Sequence, residues 1–213
     1  MGPPGSGKGT IARIIREKHG IPSINTGDLL REEVSKSTEI GMRSKPFMDK
    51  GQLVPDVIVN PLVEQRLRKS DCRHGFVLDG YPRNIQQAKS LDDIFSRLEI
   101  HFDLVLDIVV GEEELVRRLT TRRICPSCGA IYNTVNKPPS KPGVCDICGT
   151  TIIQRDDDKE EVIRNRLKVY RDETDSVIEW YDARGLIRKV RGDIGLDSLP
   201  GEVGRVLSEL VSG

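Results

Sequence analysis

The sequence has no excess of charge of either sign: Lys plus Arg number 33 and Asp plus Glu number 33. Indiscriminate binding to nucleic acid draws its affinity from surplus cations, so the chain as a whole is excluded from that class. A local basic pocket is still allowed. No stretch approaches about 18 consecutive apolar residues, so no membrane span is predicted. The N-terminus lacks a basic leader followed by an apolar run, and no secretory signal is expected. Without one, the five cysteines point to a reducing compartment and a cytoplasmic location, where metal ligation or chance outranks disulfides. His19, His74 and His101 show no ligand spacing, and no internal repeat is present.

What is present fits a folded chain of 213 residues, with 37% hydrophobic and 31% charged residues. That length suits one large domain, or one domain with a small insert. Ile11, Ile14 and Ile15 mark a helix that Gly20 and Pro22 end. Ile21 to Ile24 reads as a short strand. Thr26 is predicted to cap the next helix, with Asp28 in its first turn. Helices are predicted from about Ile40 to Lys50 and from Pro55 to Lys69, with Pro61 kinking or delaying the second. Phe76 to Leu78 reads as a buried strand and Asn84 to Leu98 as a helix. Asp103 to Val110 reads as a parallel strand covered on both faces. Glu112 to Glu114 open a helix that Arg117, Arg118, Arg122 and Arg123 close, a polarity suited to the helix dipole. Helices resume after Asp156-Asp157-Asp158, run past Tyr170 and restart near Thr174. Leu186 to Val190 is a strand and Leu199 to Val211 the last helix. The alternation predicts an α/β fold with a parallel sheet.

Two motifs carry chemistry. Gly2 to Lys8 matches the phosphate-loop pattern G-x-x-x-x-G-K. Its glycines let backbone N–H groups face a phosphate, and the following helix aims its positive end there. Gly9 stands where such loops usually have a magnesium-binding Ser or Thr, with Thr10 one place later, so the metal is expected to be held through water or by Asp79. The second motif is Cys125-x-x-Cys128 and Cys145-x-x-Cys148, the spacing of a four-thiolate zinc site. Four protein ligands leave no position for a reactive water, so such a metal is structural. A disulfide pair is the alternative in an oxidising cell. Cys72 stands alone and reads as a small buried hydrophobe.

The run Gly2 to Thr10 resembles the opening of the adenylate kinase family. So do Asn25 to Arg31, Leu78 to Arg83, Arg122-Arg123, and Arg155-Asp156-Asp157 followed by Arg166; the cysteine insert is similar to the family's zinc-bearing long lid. The resemblance implies a P-loop-type parallel sheet flanked by helices that transfers phosphoryl from ATP to AMP, reversibly making two ADP, with Mg²⁺. It implies that Gly5, Ser6, Gly7, Lys8, Gly9 and Thr10 hold ATP phosphates and that Arg118 lies on the adenine. Thr26, Arg31, Gln52, Val54, Gly80, Arg83 and Gln87 would hold AMP. Arg83, Arg122, Arg155 and Arg166 would surround the transferring group beside Lys8, and Asp79 would position Mg²⁺ through water. It further implies a core over 1–120 and 159–213, an AMP clamp over 26–54, and a lid over 121–158 that swings shut.

The chemistry asks for the same groups. Phosphoryl transfer needs in-line placement and cations around spreading charge, and Arg offers a planar fork for phosphate oxygens. Arg118 and Arg122, at i and i+4, are expected on one helix face. Asp79 ends a strand, where open α/β sheets place their sites. Closure would keep water from competing as acceptor. Asn84, Gln86, Asn133 and Asn136 depart from residues common in the family, which implies a looser grip on the base. The alternatives are another nucleoside monophosphate kinase, using GTP or a pyrimidine acceptor, and a nucleic-acid-binding zinc ribbon. The ribbon is disfavoured because only Lys137, Lys141 and one aromatic, Tyr132, lie within the insert. A monomer with small nucleotides as its partners is expected. One feature of the motif stands out: a phosphate loop normally follows a buried central strand, and only Met1 precedes Gly2. The expectation is that this strand is missing from the sheet and that an apolar run lies upstream of Met1.

Overall fold

The computed structural model describes residues 1–195 and 197–211. Helix α1 (Lys8–His19) buries Ile11, Ala12 and Ile15 and ends at Gly20. Strand β1 (Ser23–Asn25) follows. It starts later than its apolar run because Pro22 has no N–H; the Pro22 carbonyl instead accepts from Val77 N. Helices α2 (Thr26–Ser35) and α3 (Glu39–Asp49) pack on each other at Gly41, where any Cβ would collide with the Glu33 carbonyl. Next come α4 (Asp56–Leu67), β2 (Val77–Asp79), α5 (Ile85–Leu98), β3 (Val105–Val109) and α6 (Glu112–Thr120). The cysteine insert holds β4 (Arg122–Ile124) and β5 (Ile131–Asn133), an antiparallel pair. The chain closes with α7 (Glu160–Val169), α8 (Asp175–Asp182), β6 (Ile187–Arg191) and α9 (Leu199–Val211).

The parallel sheet is in two halves. β1 pairs with β2, setting Asn25 opposite Asp79, and β3 pairs with β6. β2 and β3 share no ladder, and among the described residues no strand lies between them. Met1 supplies one rung there: its amino group donates to the Leu106 carbonyl and Ile108 N donates to its carbonyl. Side chains bridge the halves. Val77 from β2 and Leu106 and Ile108 from β3 join Ile11, Ile15 and Val203 in one apolar cluster. A second core, around Val63, Leu91 and Ile94, underlies α2 to α5.

Several elements differ from expectation for identifiable reasons. Helix α2 is capped by Asn25, whose side chain accepts from Asp28 N, and not by Thr26. Helix α4 is not delayed: it begins at Asp56, directly after Pro55, and continues through Pro61 to Leu67. The carbonyl that Pro61 leaves without a helix partner belongs to Val57, an exposed residue, so the lost bond falls on the solvent side. Strand β3 is covered only as far as Ile108, and Val109 is half exposed. Helix α6 ends at Thr120, so Arg122 and Arg123 are strand residues paired with Asn133 and Tyr132. Arg118 and Arg122 therefore share no helix face. The chain from α7 to α8 does not break; a π-helical turn, Tyr170–Thr174, joins them.

Candidate active site

The loop Gly2–Gly7 meets the N-terminus of α1. Gly5 and Gly7 have φ of 84° and 100°, and a Cβ on Gly5 would come within 2.9 Å of Leu119 on α6. Only glycine combines that conformation with that approach. Gly7, the N-cap, offers no side-chain acceptor. The first N–H groups of α1 are thus left for a ligand, at the positive end of the helix dipole. Ser6 is buried and its hydroxyl has no partner. Lys8 folds back over the loop and donates to the Gly2 and Pro3 carbonyls at 2.7 and 2.8 Å. Burial, assisted by repulsion from Arg83, Arg166 and Arg122 and opposed by Asp79, pushes its pKa down to about 8.

Strands β1 and β2 deliver the second wall. Asp79, at the C-terminal end of β2, is 5% exposed. Its Oδ2 accepts from Asn25 Nδ2 at 2.5 Å, while Oδ1 is buried without a partner. A Cβ at Gly9 would stand 4.0 Å from Asp79 Oδ2, which puts the carboxylate above the start of α1. Thr26 donates to the Gly80 carbonyl at 2.8 Å. Gly80, at φ 81°, has Thr26 Oγ1 and Arg83 Nη2 at 3.0 and 3.1 Å from the place a Cβ would take. Arg83 donates its Nε to the Gly80 carbonyl at 2.7 Å and its backbone N–H to Gln87 Oε1 at 2.8 Å.

Arginines from four elements converge on this wall. Arg166, on α7, meets Asp157 at 3.1 Å and Asp158 at 3.4 Å. Arg122, on β4, pairs with Asp158. Arg31, on α2, pairs with Asp28 at 2.6 Å and reaches Asp157 at 3.7 Å, while Arg155 reaches Asp28 at 3.6 Å. Burial, then the neighbouring Arg166, pushes the Arg83 pKa down to about 10; burial, then Arg31 and Arg122, does the same to Arg155. Guanidinium groups are rarely depressed at all. The depression reflects burial first and the crowding of guanidinium groups second, and a bound phosphate would offset both. The Nε of Arg155 is buried without a partner.

Some expected residues stand apart. Arg118 is tied to Glu114 and to the Gly192 carbonyl, both through its guanidinium. Gln52 is exposed after α3, and Val54, 6% exposed, belongs to the apolar core. Thr10 lies half-buried in the first turn of α1. Gln87 has both ends of its amide engaged, accepting from Arg83 N and donating to Asp56 at 2.7 Å. Conversely, Asp157 and Asp158 stand in the sequence directly before a predicted helix. They form a 3₁₀ turn, Lys159 caps α7, and their carboxylates hold the arginines. Asn25 was legible only as part of a motif. The signal for the acids was their place beside Arg155, but the partners lie far off in sequence.

The four insert cysteines form a separate centre. Their sulfurs all lie within 4.8 Å of one another. Cys125 and Cys148 are 3.3 Å apart and Cys128 and Cys145 are 3.6 Å apart, with no disulfide. A tetrahedral ion with bonds of about 2.3 Å needs sulfurs roughly 3.8 Å apart, so the donors fit a metal such as zinc. The two knuckles repeat one design: Gly129 N donates to the Cys125 carbonyl and Gly149 N to the Cys145 carbonyl, both glycines at positive φ. The buried Tyr132 hydroxyl sits 3.3 Å from Cys145 Sγ and accepts from Asp146 N, an outer-shell support for that ligand. The apolar core of the insert is only Cys125, Tyr132, Cys145 and Ile152, with Ala130 against them. So small a core needs a staple.

A phosphate loop at a helix N-terminus, an acid at a parallel strand end and a ring of arginines define a phosphate-loop phosphotransferase fold. A family model described as adenylate kinase matches residues 1–186. The adenylate kinase of Archaeoglobus fulgidus is 46% identical over 212 residues, covering 100% of this chain and 98% of the relative. Those of Thermotoga neapolitana and Methanothrix thermoacetophila are 47% and 49% identical, over 97% and 98% of this chain and 94% and 97% of theirs. The chain belongs to the adenylate kinase family. No helix among the described residues is long and apolar enough to cross a membrane.

Proposed function

We propose that this protein is an adenylate kinase, moving the terminal phosphoryl of ATP to AMP and back. The observation that carries the reading is the convergence of Lys8 with Arg83, Arg122 and Arg166, close enough for each to shift the Lys8 pKa. A dissociative phosphoryl transition state needs such a preorganised positive cage and little else. Lys8 and the first N–H groups of α1 take the ATP phosphates. Lys8 exchanges its loop carbonyls for phosphate oxygens. Arg31 and Arg83 take the AMP phosphate, and Arg122, Arg155 and Arg166 cover the group in transfer. Arg118 and Gln52, Val54 and Gln87 line the bases; Gln87 must release Asp56 to offer its amide.

Mg²⁺ bound with ATP would supply charge that offsets the phosphates in the transition state. The unpartnered Oδ1 of Asp79 fits a role in holding that ion through water, and Gly9, which has no hydroxyl, leaves the task to Asp79. Zinc fits the four thiolates as a structural ion. The core is 1–120 with 159–213, the AMP clamp 26–54, and the lid 121–158, hinged where Arg122 meets Asp158. One chain supplies the loop and every arginine, which supports a monomer. The unpaired cysteines support a reducing, cytoplasmic setting.

A coupled assay with Mg²⁺-ATP and AMP, UMP, CMP or GMP tests the reading. AMP is expected to be preferred by at least tenfold. Equal or better use of a pyrimidine acceptor, or of GTP as donor, replaces it with a broader monophosphate kinase, and no transfer to any of them overturns it.

A further inference from the structure

We propose that Thr174 is a positioning residue for the reaction, acting through Arg83. It lies in no motif, and it is 3% exposed. Its hydroxyl donates to the Arg83 carbonyl at 2.8 Å, across 91 residues of sequence. Arg83 is then held at three points: its carbonyl by Thr174, its N–H by Gln87 and its Nε–H by the Gly80 carbonyl. The first two fix the backbone, and the third holds the guanidinium close enough to feel the charge of Arg166 and to act on Lys8. A planar fork serves a phosphate only when so oriented.

The π-helical turn explains how Thr174 reaches this place. Arg166 and Thr174 stand on one continuous helical segment, eight residues apart. At roughly 100° per residue, eight α-helical steps would leave Thr174 about 80° around the axis from Arg166. The wider π turn, Tyr170–Thr174, advances only about 80° per residue and cancels nearly all of that offset. Both residues then face the Arg83 loop, and one helix sets two of the site's cations in register, Arg166 directly and Arg83 through its carbonyl. π turns inside α-helices are rare and gather at functional sites.

The inference rests on the phosphotransfer reading of Arg83, and the test separates the two. Thr174→Val keeps the shape and deletes the donor, while Thr174→Ser keeps the donor. Thr174→Val is expected to lower kcat at least tenfold with the KM for ATP within twofold, and Thr174→Ser to stay within threefold of wild type. In an Arg83→Ala background Thr174→Val should lower kcat by less than twofold further. The Arg83 Nε–H resonance, read by NMR without any turnover, should broaden or shift in Thr174→Val and return in Thr174→Ser. A folded Thr174→Val with wild-type kcat and an unchanged Arg83 signal overturns the inference, as does an equal loss with and without Arg83. A wild-type protein inactive on AMP overturns the functional reading alone, and the Arg83 signal still decides for or against Thr174.

Discussion

Asp158, fully buried, grips Arg122 through both carboxylate oxygens, at 2.8 Å to Nε and 2.6 Å to Nη2. The pair clasps the two ends of the cysteine insert, since Arg122 opens it and Asp158 closes it. Gln154 adds a tie to the Asp158 carbonyl at 2.8 Å. Removing one partner of such a pair leaves the other uncompensated, which costs about 3–5 kcal/mol when buried. Asp158→Asn is therefore expected to lower stability by about 3 kcal/mol in urea unfolding and kcat by at least tenfold. A variant as stable as wild type would show that Arg122 finds another acceptor.

Lys8→Ala should keep the fold and lose turnover. Lys8 bonds only loop carbonyls, so its removal frees two acceptors at a part-buried position. The lost charge at the transferring group should cost on the order of 3 kcal/mol, about a hundredfold in rate. Circular dichroism and the coupled assay together check this; a variant within threefold of wild type refutes it.

The pH profile follows from the same side chain. With a pKa near 8, Lys8 is charged below that pH and neutral above it. In the free enzyme kcat/KM for ATP should then fall as pH rises through about 8, and Lys8→Arg should carry what activity it has to higher pH. The stability effect has the opposite sign. Between about 8 and the ordinary value of 10.5 the unfolded chain binds the proton and the folded one does not, so folding gains as pH rises through that window. A flat kcat/KM profile from pH 7 to 9 would contradict the assigned shift.

Cys128→Ser or Cys145→Ser should release the metal and destabilise the insert while leaving activity at low temperature. A loss of about 2 kcal/mol corresponds to roughly 5 °C in Tm for a chain of this size. Metal content by mass spectrometry, Tm and activity at low temperature are the measurements. Complete inactivity in a folded, metal-free variant would give the metal a role in the reaction.

The local parts of this protein were legible from residues alone. A phosphate loop is written in consecutive glycines because its function is a backbone conformation, and Gly5 and Gly7 take the positive φ that the pattern requires. The four thiolates were legible because two C-x-x-C knuckles each present two sulfurs by local geometry. Helix starts and stops followed from caps and glycines, with an error of one residue where Asn25 outranked Thr26 and a larger one where Arg122 and Arg123 joined a ladder.

The sequence by itself thus determined the alternation of strands and helices, the phosphate loop and the cysteine centre, since each depends on residues within a few positions of one another. Only the tertiary structure decided which charges meet. Asp157 and Asp158 became acceptors for Arg31, Arg122 and Arg166 because the fold brings distant elements to one wall, and local rules assigned them to a helix end. Thr174 reached Arg83 because a π turn, which no local pattern announced, rotated it there. A gap in the sheet was already an expectation from the sequence, and the pairing places it between β2 and β3. Hydrogen-bond ladders and ion pairs between remote segments depend on distances in space, and those follow from how the apolar clusters pack the elements together.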